Sequence, residues 1–145
     1  MDNVIDNYCL PVMVKLTYDY LIMTNLPKVY YVATTGDKLY YANCDTHTVT
    51  CCDLHGKTQW EFKDTRVLQG PVGISVDNDG NVYAVGFHSD KVVVISPDGQ
   101  RHRQLLSFKD GLRNPRVLDY DRSTDRLLVV NQSSSAFLFD VTRGQ

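Results

Sequence analysis

Three equally spaced prolines are the feature that most constrains how this chain can fold. Pro27, Pro71 and Pro115 are separated by 44 residues each in a sequence of 145 residues. After each proline comes a short apolar segment, then a polar turn, a second apolar segment, a polar loop and a third apolar segment. An internal period of this length indicates a repeated supersecondary unit, because unrelated segments would not keep one register.

The second unit shows the pattern most completely. Its apolar segments cover residues 74–76, 82–85 and 92–95, and residues 101–106 read as a fourth strand. Asp-Gly pairs at 79–80 and 98–99 supply the positive φ angles that tight hairpin turns require. A proline at the start of a strand removes no ladder hydrogen bond. The corresponding predicted strands are residues 29–32, 39–42, 49–52 and 58–62 in the first unit, and 117–118, 127–130 and 137–139 in the third.

Units of four short strands with a period in the mid-forties are typical of the blades of a β-propeller. The sequence therefore predicts an all-β fold, a partial β-propeller of about three four-stranded blades. We expect these blades at residues 27–70, 71–114 and 115–145. Within residues 1–26, apolar residues occupy alternate positions from Val12 to Ile22, and residues 1–26 are interpreted either as outer strands of a preceding blade or as a segment without blade register.

The composition limits the classes of partner and the compartment. Hydrophobic residues make up 43% and charged residues 22% of the chain, which is compatible with a buried core. The net charge of −2 gives no general attraction to nucleic acid or to an anionic membrane. No apolar run reaches the ~18 residues that a membrane-spanning helix needs, and the acidic N-terminus lacks the pattern of a signal peptide. These features predict a protein of the cytoplasm with reduced thiols.

A group of cysteines and histidines contains the residue types that bind zinc. Cys44, His47, Cys51, Cys52 and His55 lie within one stretch of the first unit. Adjacent residues on a strand point to opposite faces, so Cys51 and Cys52 cannot both face one ion. The pattern favours structural thiols, and a zinc site is the alternative; we predict neither a metal nor a cofactor.

The segment GPVGISVDNDGNVYAVGFHSDKVVVISPDG, residues 70–99, resembles an NHL repeat. Residues 27–56 and 115–144 resemble it more loosely, because Val29 and Val117 stand where the second unit has Gly73. The resemblance is to the C-terminal propeller of tripartite-motif ubiquitin ligases. It implies a ring of about six blades that binds proteins or single-stranded RNA through one face and carries no catalytic residues. Half the number of blades implies either a homodimer that closes the ring or further blades located elsewhere.

Loops on one face of a propeller are the predicted binding surface, since loops on a rigid scaffold commonly carry function. The loops in question join the second strand to the third and the fourth strand to the next blade. Cationic groups there suit acidic peptides or phosphate groups. The alternative is solvated loop charge, because Asp64, Asp90 and Asp110 dilute the field. The candidate binding residues are Lys63, Arg66, His88, Lys91, Lys109, Arg113 and Arg116.

The sequence favours a non-catalytic interaction scaffold that binds a protein partner. Single-stranded RNA binding is the first alternative, with Phe87 and Phe108 as the aromatic residues available for stacking. A metal-dependent propeller hydrolase or lactonase is a weaker alternative, because Asp119 is the only clear acidic residue on a predicted innermost strand. No nucleophile elbow and no phosphate-binding glycine loop are present in the sequence, so no catalytic residue is predicted.

Overall fold

The structure is a computed structural model that describes the backbone of residues 2–5, 12–15 and 30, together with residues 31–142 in full. Near the N-terminus, β1 (Asp2–Ile5) and β2 (Val12–Lys15) pair as an antiparallel hairpin. The remaining described strands form three separate antiparallel sheets, in which neighbouring strands follow chain order. One 3-10 turn, Phe108–Asp110, lies between the second and third sheets.

The three sheets follow the predicted repeat. The first contains β3 (Tyr30–Thr35), β4 (Lys38–Asn43), β5 (Thr48–Asp53) and β6 (Thr58–Phe62). The second contains β7 (Pro71–Val76), β8 (Val82–Gly86), β9 (Lys91–Ile95) and β10 (His102–Leu106), and the third contains β11 (Pro115–Asp121), β12 (Arg126–Asn131) and β13 (Ala136–Asp140). The first strands β3, β7 and β11 lie next to one another across sheets. The predicted all-β fold, a partial propeller of about three blades, is confirmed.

Prolines open two of the three sheets as expected, at Pro71 and Pro115. Pro27 lies outside the described residues, as do residues 16–29 and 143–145. One assignment needs correction: the first strand of the third sheet was predicted at residues 117–118 only, but β11 extends to Asp121. The extended pairing of Asp121 with Arg126 keeps that residue on the strand, so Asp119 is not the only acidic residue of an innermost strand. The blade boundaries and the register of residues 1–26 stay predictions.

The core consists of two apolar layers, one between each pair of adjacent sheets. The second sheet lies between these layers, and strands that are covered on both faces are apolar throughout. All five residues of β8 are buried. Val82 and Ala84 face the first sheet, whereas Tyr83 and Val85 face the third. Complete burial of a valine or leucine side chain contributes about 1.5–3 kcal/mol relative to exposure. The layers are thus what holds one sheet against the next.

Polar side chains shape the turn between the first two strands of the second sheet. The Asp77 carboxylate, which is buried, accepts hydrogen bonds from the backbone N–H groups of Asp79 and Asn81, both at 2.9 Å. It also accepts from the hydroxyl of Tyr83 at 3.1 Å. Gly80 has a φ of 85°, which confirms the predicted turn chemistry.

Two side chains join sheets to one another. The Trp60 indole Nε1 donates to the carbonyl oxygen of Pro97 at 2.9 Å, which connects β6 to the hairpin turn of the second sheet. Arg122, in the turn of the third sheet, donates from Nε to the carbonyl of Val76 at 3.0 Å and from Nη2 to the carbonyl of Thr34 at 3.4 Å. Arg122 therefore contacts all three sheets.

Within the part of the chain that the structure describes, no helix has the length and hydropathy needed to cross a bilayer.

Candidate binding face

The loops that were predicted to share one face are joined by backbone hydrogen bonds. We define the loop face as residues 44–47, 63–70, 87–90, 107–114 and 132–135. In the second sheet, the N–H of Phe87 donates to the carbonyl of Gly70 at 2.9 Å. In the third, the N–H of Gln132 donates to the carbonyl of Asn114 at 3.0 Å. A linking loop here is the segment that joins the fourth strand of one sheet to the first strand of the next. Each linking loop is thus hydrogen-bonded to the loop between the second and third strands of the sheet that follows it.

A second structural feature recurs on the loop face, namely a residue with positive φ at the end of the loop between the second and third strands. His47, Asp90 and Ser134 occupy the same place in successive loops and have φ values of 60°, 51° and 73°. The Nδ1 atom of His47 accepts a hydrogen bond from the N–H of Gly70 at 2.9 Å. The Asp90 carboxylate accepts one from the N–H of Asn114 at 2.6 Å. We call this contact the pre-proline clamp, because each donor immediately precedes the proline that opens the next sheet.

The loop between the second and third sheets is shaped by a buried asparagine. Asn131 accepts a hydrogen bond from the N–H of Arg113 at 3.0 Å and donates to the carbonyl of Gly111 at 3.0 Å. Ser107 and Asp110 form a capping box around the 3-10 turn. These contacts satisfy backbone groups that the irregular loop leaves unpaired, and they fix the path of the chain between β10 and β11.

Arginine side chains lie over aromatic rings in this region. The Arg113 guanidinium carbon is 3.2 Å from the ring centre of Phe108, whose side chain is 56% exposed. The guanidinium also donates to the carbonyl oxygens of Phe108 and Leu112. Arg116 lies 5.5 Å from the ring centre of Phe87. Contacts of this kind hold a guanidinium plane in a fixed orientation while it keeps its charge.

The cations near the first linking loop are partly neutralised. Arg66 donates two hydrogen bonds to the Asp64 carboxylate, at 2.9 Å and 2.8 Å. This pairing lowers the pKa of Asp64 to about 2. The Nζ atom of Lys91 donates to the carbonyl oxygen of Arg66 at 3.3 Å. An exposed ion pair of this type adds little stability, but it reduces the free positive charge of the loop.

Six of the seven predicted site residues therefore separate into two groups. Lys63, Arg66 and Lys91 lie with the first linking loop, and Lys109, Arg113 and Arg116 lie with the second or directly after it. His88 lies between the groups, with its N–H bonded to the carbonyl of Gln69 and its ring 5.1 Å from that of Phe87. The role of the seven predicted site residues in binding stays a prediction.

The cysteine and histidine group is spread over both faces and both ends of the first sheet. Cys51 pairs with Tyr40 and Trp60 on the side that faces the second sheet, whereas Cys52 points to the other side. Burial raises the pKa of both thiols. His47 is engaged in the pre-proline clamp, and His55 lies in the turn between β5 and β6, with its N–H bonded to Asp53. Among the described residues, no three His, Cys, Asp or Glu side chains converge as metal ligands would.

Several residues that shape the loop face were not identified from the sequence. The sequence assigned no structural role to Asn114 or Asn131, and the pre-proline clamp was not expected. A signal exists for the clamp: aligning the repeats places His47, Asp90 and Ser134 at one position, and these are residue types that accept hydrogen bonds. The alignment also places Asn114 where the second unit has Gly70, which indicates a shared positive φ.

Comparison with known proteins supports the resemblance and the fold. No family model matches the chain. A curated relative, the E3 ubiquitin-protein ligase TRIM56 of Mus musculus, is 34% identical over 73 residues, which is 49% of this chain and 10% of that protein. The chain thus spans only a small part of the curated relative that it matches. This weak similarity, together with the propeller structures that the chain resembles, fits an NHL-like propeller.

Solved structures match at the level of the fold. The nidogen/laminin complex matches with a TM-score of 0.56 and 19% identity, over 70% of this chain and 43% of that chain. The Cps50 (Swd1) β-propeller domain of Myceliophteria thermophila matches with a TM-score of 0.61 and 10% identity, over 77% of this chain and 40% of that chain. Virginiamycin B lyase from Staphylococcus aureus matches with a TM-score of 0.58 and 12% identity, over 94% and 47%. At these identities the matches show a common architecture.

Proposed function

We propose that the chain is a non-catalytic scaffold that binds a protein partner through the loop face, in the cytoplasm. The observation that carries this proposal is the anchoring of the linking loops. Their backbones are held by the pre-proline clamps, while Lys109, Arg113 and Arg116 remain exposed. A preorganised surface binds with a smaller loss of conformational entropy than a mobile one. A curated relative named as a ubiquitin ligase is consistent with a module that engages proteins.

The partner class follows from the charge of the second linking loop and of Arg116, which lies directly after it at the start of β11. Arg113 and Arg116 are both placed over aromatic rings, and Lys109 is exposed beside them. Guanidinium groups held in this way suit carboxylates, which they can bind with two parallel hydrogen bonds. An acidic segment of a partner protein is therefore the expected ligand of the loop face.

Charge reversal tests the proposal. A variant with Lys109→Glu, Arg113→Glu and Arg116→Glu is expected to lose association with acidic partner proteins found by proximity labelling. The control is Lys57→Glu with Arg101→Glu, which reverses two exposed cations in turns at the opposite end of the strands; it is compared with the double variant Lys109→Glu, Arg113→Glu as well as with the triple variant. Unfolding in urea establishes that both variants are folded. Equal loss of the same partners in both variants, or retention in both, would contradict the loop-face assignment.

Single-stranded RNA is the second candidate ligand, because the same loop combines cations with an exposed ring at Phe108. RNA binding is expected to weaken as salt is raised, since counterions are released from the phosphates. A titration with a mixed RNA pool at several salt concentrations, repeated with Phe108→Ala, measures this. Absence of binding at low salt, or affinity that salt does not change, removes the RNA alternative and leaves the protein ligand.

A homodimer is the proposed assembly, and the outer face of the third sheet supports it. The cross-strand pairs Tyr40–Cys51 and Tyr83–Val94 each face the following sheet, and Tyr40, Cys51 and Tyr83 are almost fully buried. The equivalent pair in the third sheet, Leu128–Leu138, is 36% and 60% exposed. Light scattering tests the assembly: a stable folded monomer at micromolar concentration would exclude the dimer.

A further inference from the structure

The two pre-proline clamps that hold the linking loops share a geometry but differ in chemistry. In the first clamp, His47 accepts from the N–H of Gly70 at 2.9 Å, and in the second, Asp90 accepts from the N–H of Asn114 at 2.6 Å. The ordinary pKa of an aspartic acid is about 3.9 and that of a histidine is about 6.5. Between about pH 7.5 and about pH 5.5, an aspartate therefore keeps its charge, whereas a histidine gains one.

A protonated imidazole cannot make the first clamp. The bond uses Nδ1 of His47 as an acceptor, so the ring must be neutral with its hydrogen on Nε2. A proton added to Nδ1 would place two donors opposite each other. Because Gly70 is buried, its N–H would then lose its acceptor where water cannot readily replace it. The closed clamp therefore excludes the proton, and protonation favours the open clamp.

Other titratable and charged groups surround the first clamp and its loop. Among the described residues they are Cys44 and Asp45 from the loop of His47, Lys63, Asp64 and Arg66 from the first linking loop, and His88, Asp90, Lys91 and His102 from the second sheet. Arg66 is paired with Asp64, and Lys91 donates to the carbonyl of Arg66. The ring of His88 packs directly on Gly70, where an added Cβ atom would overlap it. The effect of His88 therefore has to be separated from that of the clamp by experiment.

The end of the first linking loop also has bonds that do not involve an imidazole. The N–H of Phe87 donates to the carbonyl of Gly70 at 2.9 Å, and the N–H of His88 donates to the carbonyl of Gln69 at 3.1 Å. The N–H of Gln69 donates to Oγ of Ser89 at 3.1 Å. These bonds keep the loop attached to the second sheet when the clamp opens. Opening is thus a local loosening of the loop end, which leaves the sheets folded.

We propose that the His47 clamp is a pH-sensitive switch of the loop face. Protonation of His47 releases the N–H of Gly70 and loosens the first linking loop, while the Asp90 clamp holds the second linking loop at the same pH. Because the closed clamp excludes the proton, its contribution is fully present well above pH 6.5 and declines as the pH falls below about 6.5. The inference concerns the regulation of the proposed binding face, and its relevance to binding rests on that proposed function.

Amide hydrogen exchange, measured by NMR on the unaltered 145-residue chain, tests the switch. Rates are expressed as protection factors, relative to an unstructured chain at the same pH. If only the open clamp takes up a proton, and does so as an ordinary histidine, opening increases about tenfold between about pH 7.5 and about pH 5.5. The protection factor of Gly70 is thus expected to fall about tenfold and that of Asn114 to change less than about twofold. Equal changes at both amides, or no change at Gly70, would overturn the proposal.

Exchanging the side chains of the two clamps identifies the group that responds to pH. His47→Asp gives the first clamp the chemistry of the second, so the Gly70 amide is expected to stay protected across the pH range. Asp90→His is expected to transfer the loss of protection to the Asn114 amide. Both positions have positive φ, 60° and 51°, which Asp and His adopt more readily than most residues. A response that persists at Gly70 in the His47→Asp variant does not come from this imidazole and refutes the proposal.

The neighbouring histidine has its own control. His88→Asn is expected to leave the response at Gly70 unchanged, and loss of the response in this variant, with His47 intact, would assign it to His88 and contradict the proposal. None of these measurements requires a partner protein. Failure of the charge-reversal experiment would therefore remove the binding function and leave the switch, whereas a Gly70 amide that does not respond to pH would remove the switch and leave the binding function.

Discussion

Replacing Gly99 by alanine provides a direct test of how the first two sheets meet. Gly99 has a φ of 73°, and a Cβ atom added there would lie 2.5 Å from two atoms of the Trp60 indole. The indole cannot move aside freely, because it is 8% exposed and its Nε1 donates to Pro97. The substitution therefore introduces both backbone strain and a steric overlap.

The two costs can be separated. Positive φ costs an alanine about 1–2 kcal/mol, and the reduced entropy of the unfolded chain offsets about 0.4–1 kcal/mol, which leaves about 1 kcal/mol. Overpacking against the indole adds about 1–3 kcal/mol. Gly36 also has positive φ, 54°, but an added Cβ would meet nothing within 4 Å. Gly36→Ala is thus expected to lower the free energy of unfolding by about 1 kcal/mol, and Gly99→Ala by about 2–4 kcal/mol.

Urea unfolding followed by fluorescence measures both values, since Trp60 is the single tryptophan of the chain. The slope with urea should be similar in all variants, so that the midpoints report stability. In a Trp60→Leu background, measured by circular dichroism, the additional cost of Gly99→Ala should largely disappear. If Gly99→Ala costs no more than Gly36→Ala, the turn does not pack on the indole and the contact between the sheets is wrong.

Three other predictions concern carboxylates. Asp77→Ala should lower the free energy of unfolding in urea by about 2–4 kcal/mol, because it removes the acceptor of the hydrogen bonds donated by the backbone N–H groups of Asp79 and Asn81 and by the Tyr83 hydroxyl; Asp77→Asn, which keeps an acceptor, should cost less. Asp90→Ala should cost about 1–2 kcal/mol by removing the bond from the Asn114 N–H, and an Asp90→Asn variant that costs as much would argue against the clamp. Hydrogen bonds from Ser123 lower the pKa of Asp121 to about 2 from its ordinary value of 3.8, so its contribution is present above about pH 4 and is lost as the pH falls towards 2. Stability measured from pH 5 to pH 2 should therefore fall less steeply in Asp121→Asn, and an unchanged slope would contradict this.

The strands could be predicted because their signals are local. Alternation of apolar residues and the turn residues between them depend on near neighbours only. The fourth strand of the first sheet was predicted at residues 58–62, which are the observed bounds of β6. Prediction was less accurate where pairing extends a strand past its apolar segment. For example, β11 runs from Pro115 to Asp121 although only its centre, residues 117–118, was recognised.

The candidate site was less predictable, because it depends on the path of the loops. Arg113 reaches the ring of Phe108 only because a 3-10 turn ends at Gly111, which has a φ of 102°. The clamp made by Asp90 depends on a positive φ at a residue that is not glycine. Neither the sign of that angle nor a contact between residues 24 positions apart follows from residue type alone. The sequence pattern identified which loops share a face, but not how their side chains are arranged.

Stacked repeats are commonly described as one-dimensional systems, in which each unit interacts only with its immediate neighbours and stabilities add along the array. Arg122 is an exception, because one guanidinium bonds to the adjacent second sheet and also to the first sheet, at Thr34, 88 positions away in the chain. The stability of this protein therefore includes an interaction between the first and third sheets, which are not adjacent. The angle between the first and third sheets is restrained directly, and the curvature of the arc is not set by pairwise seams alone.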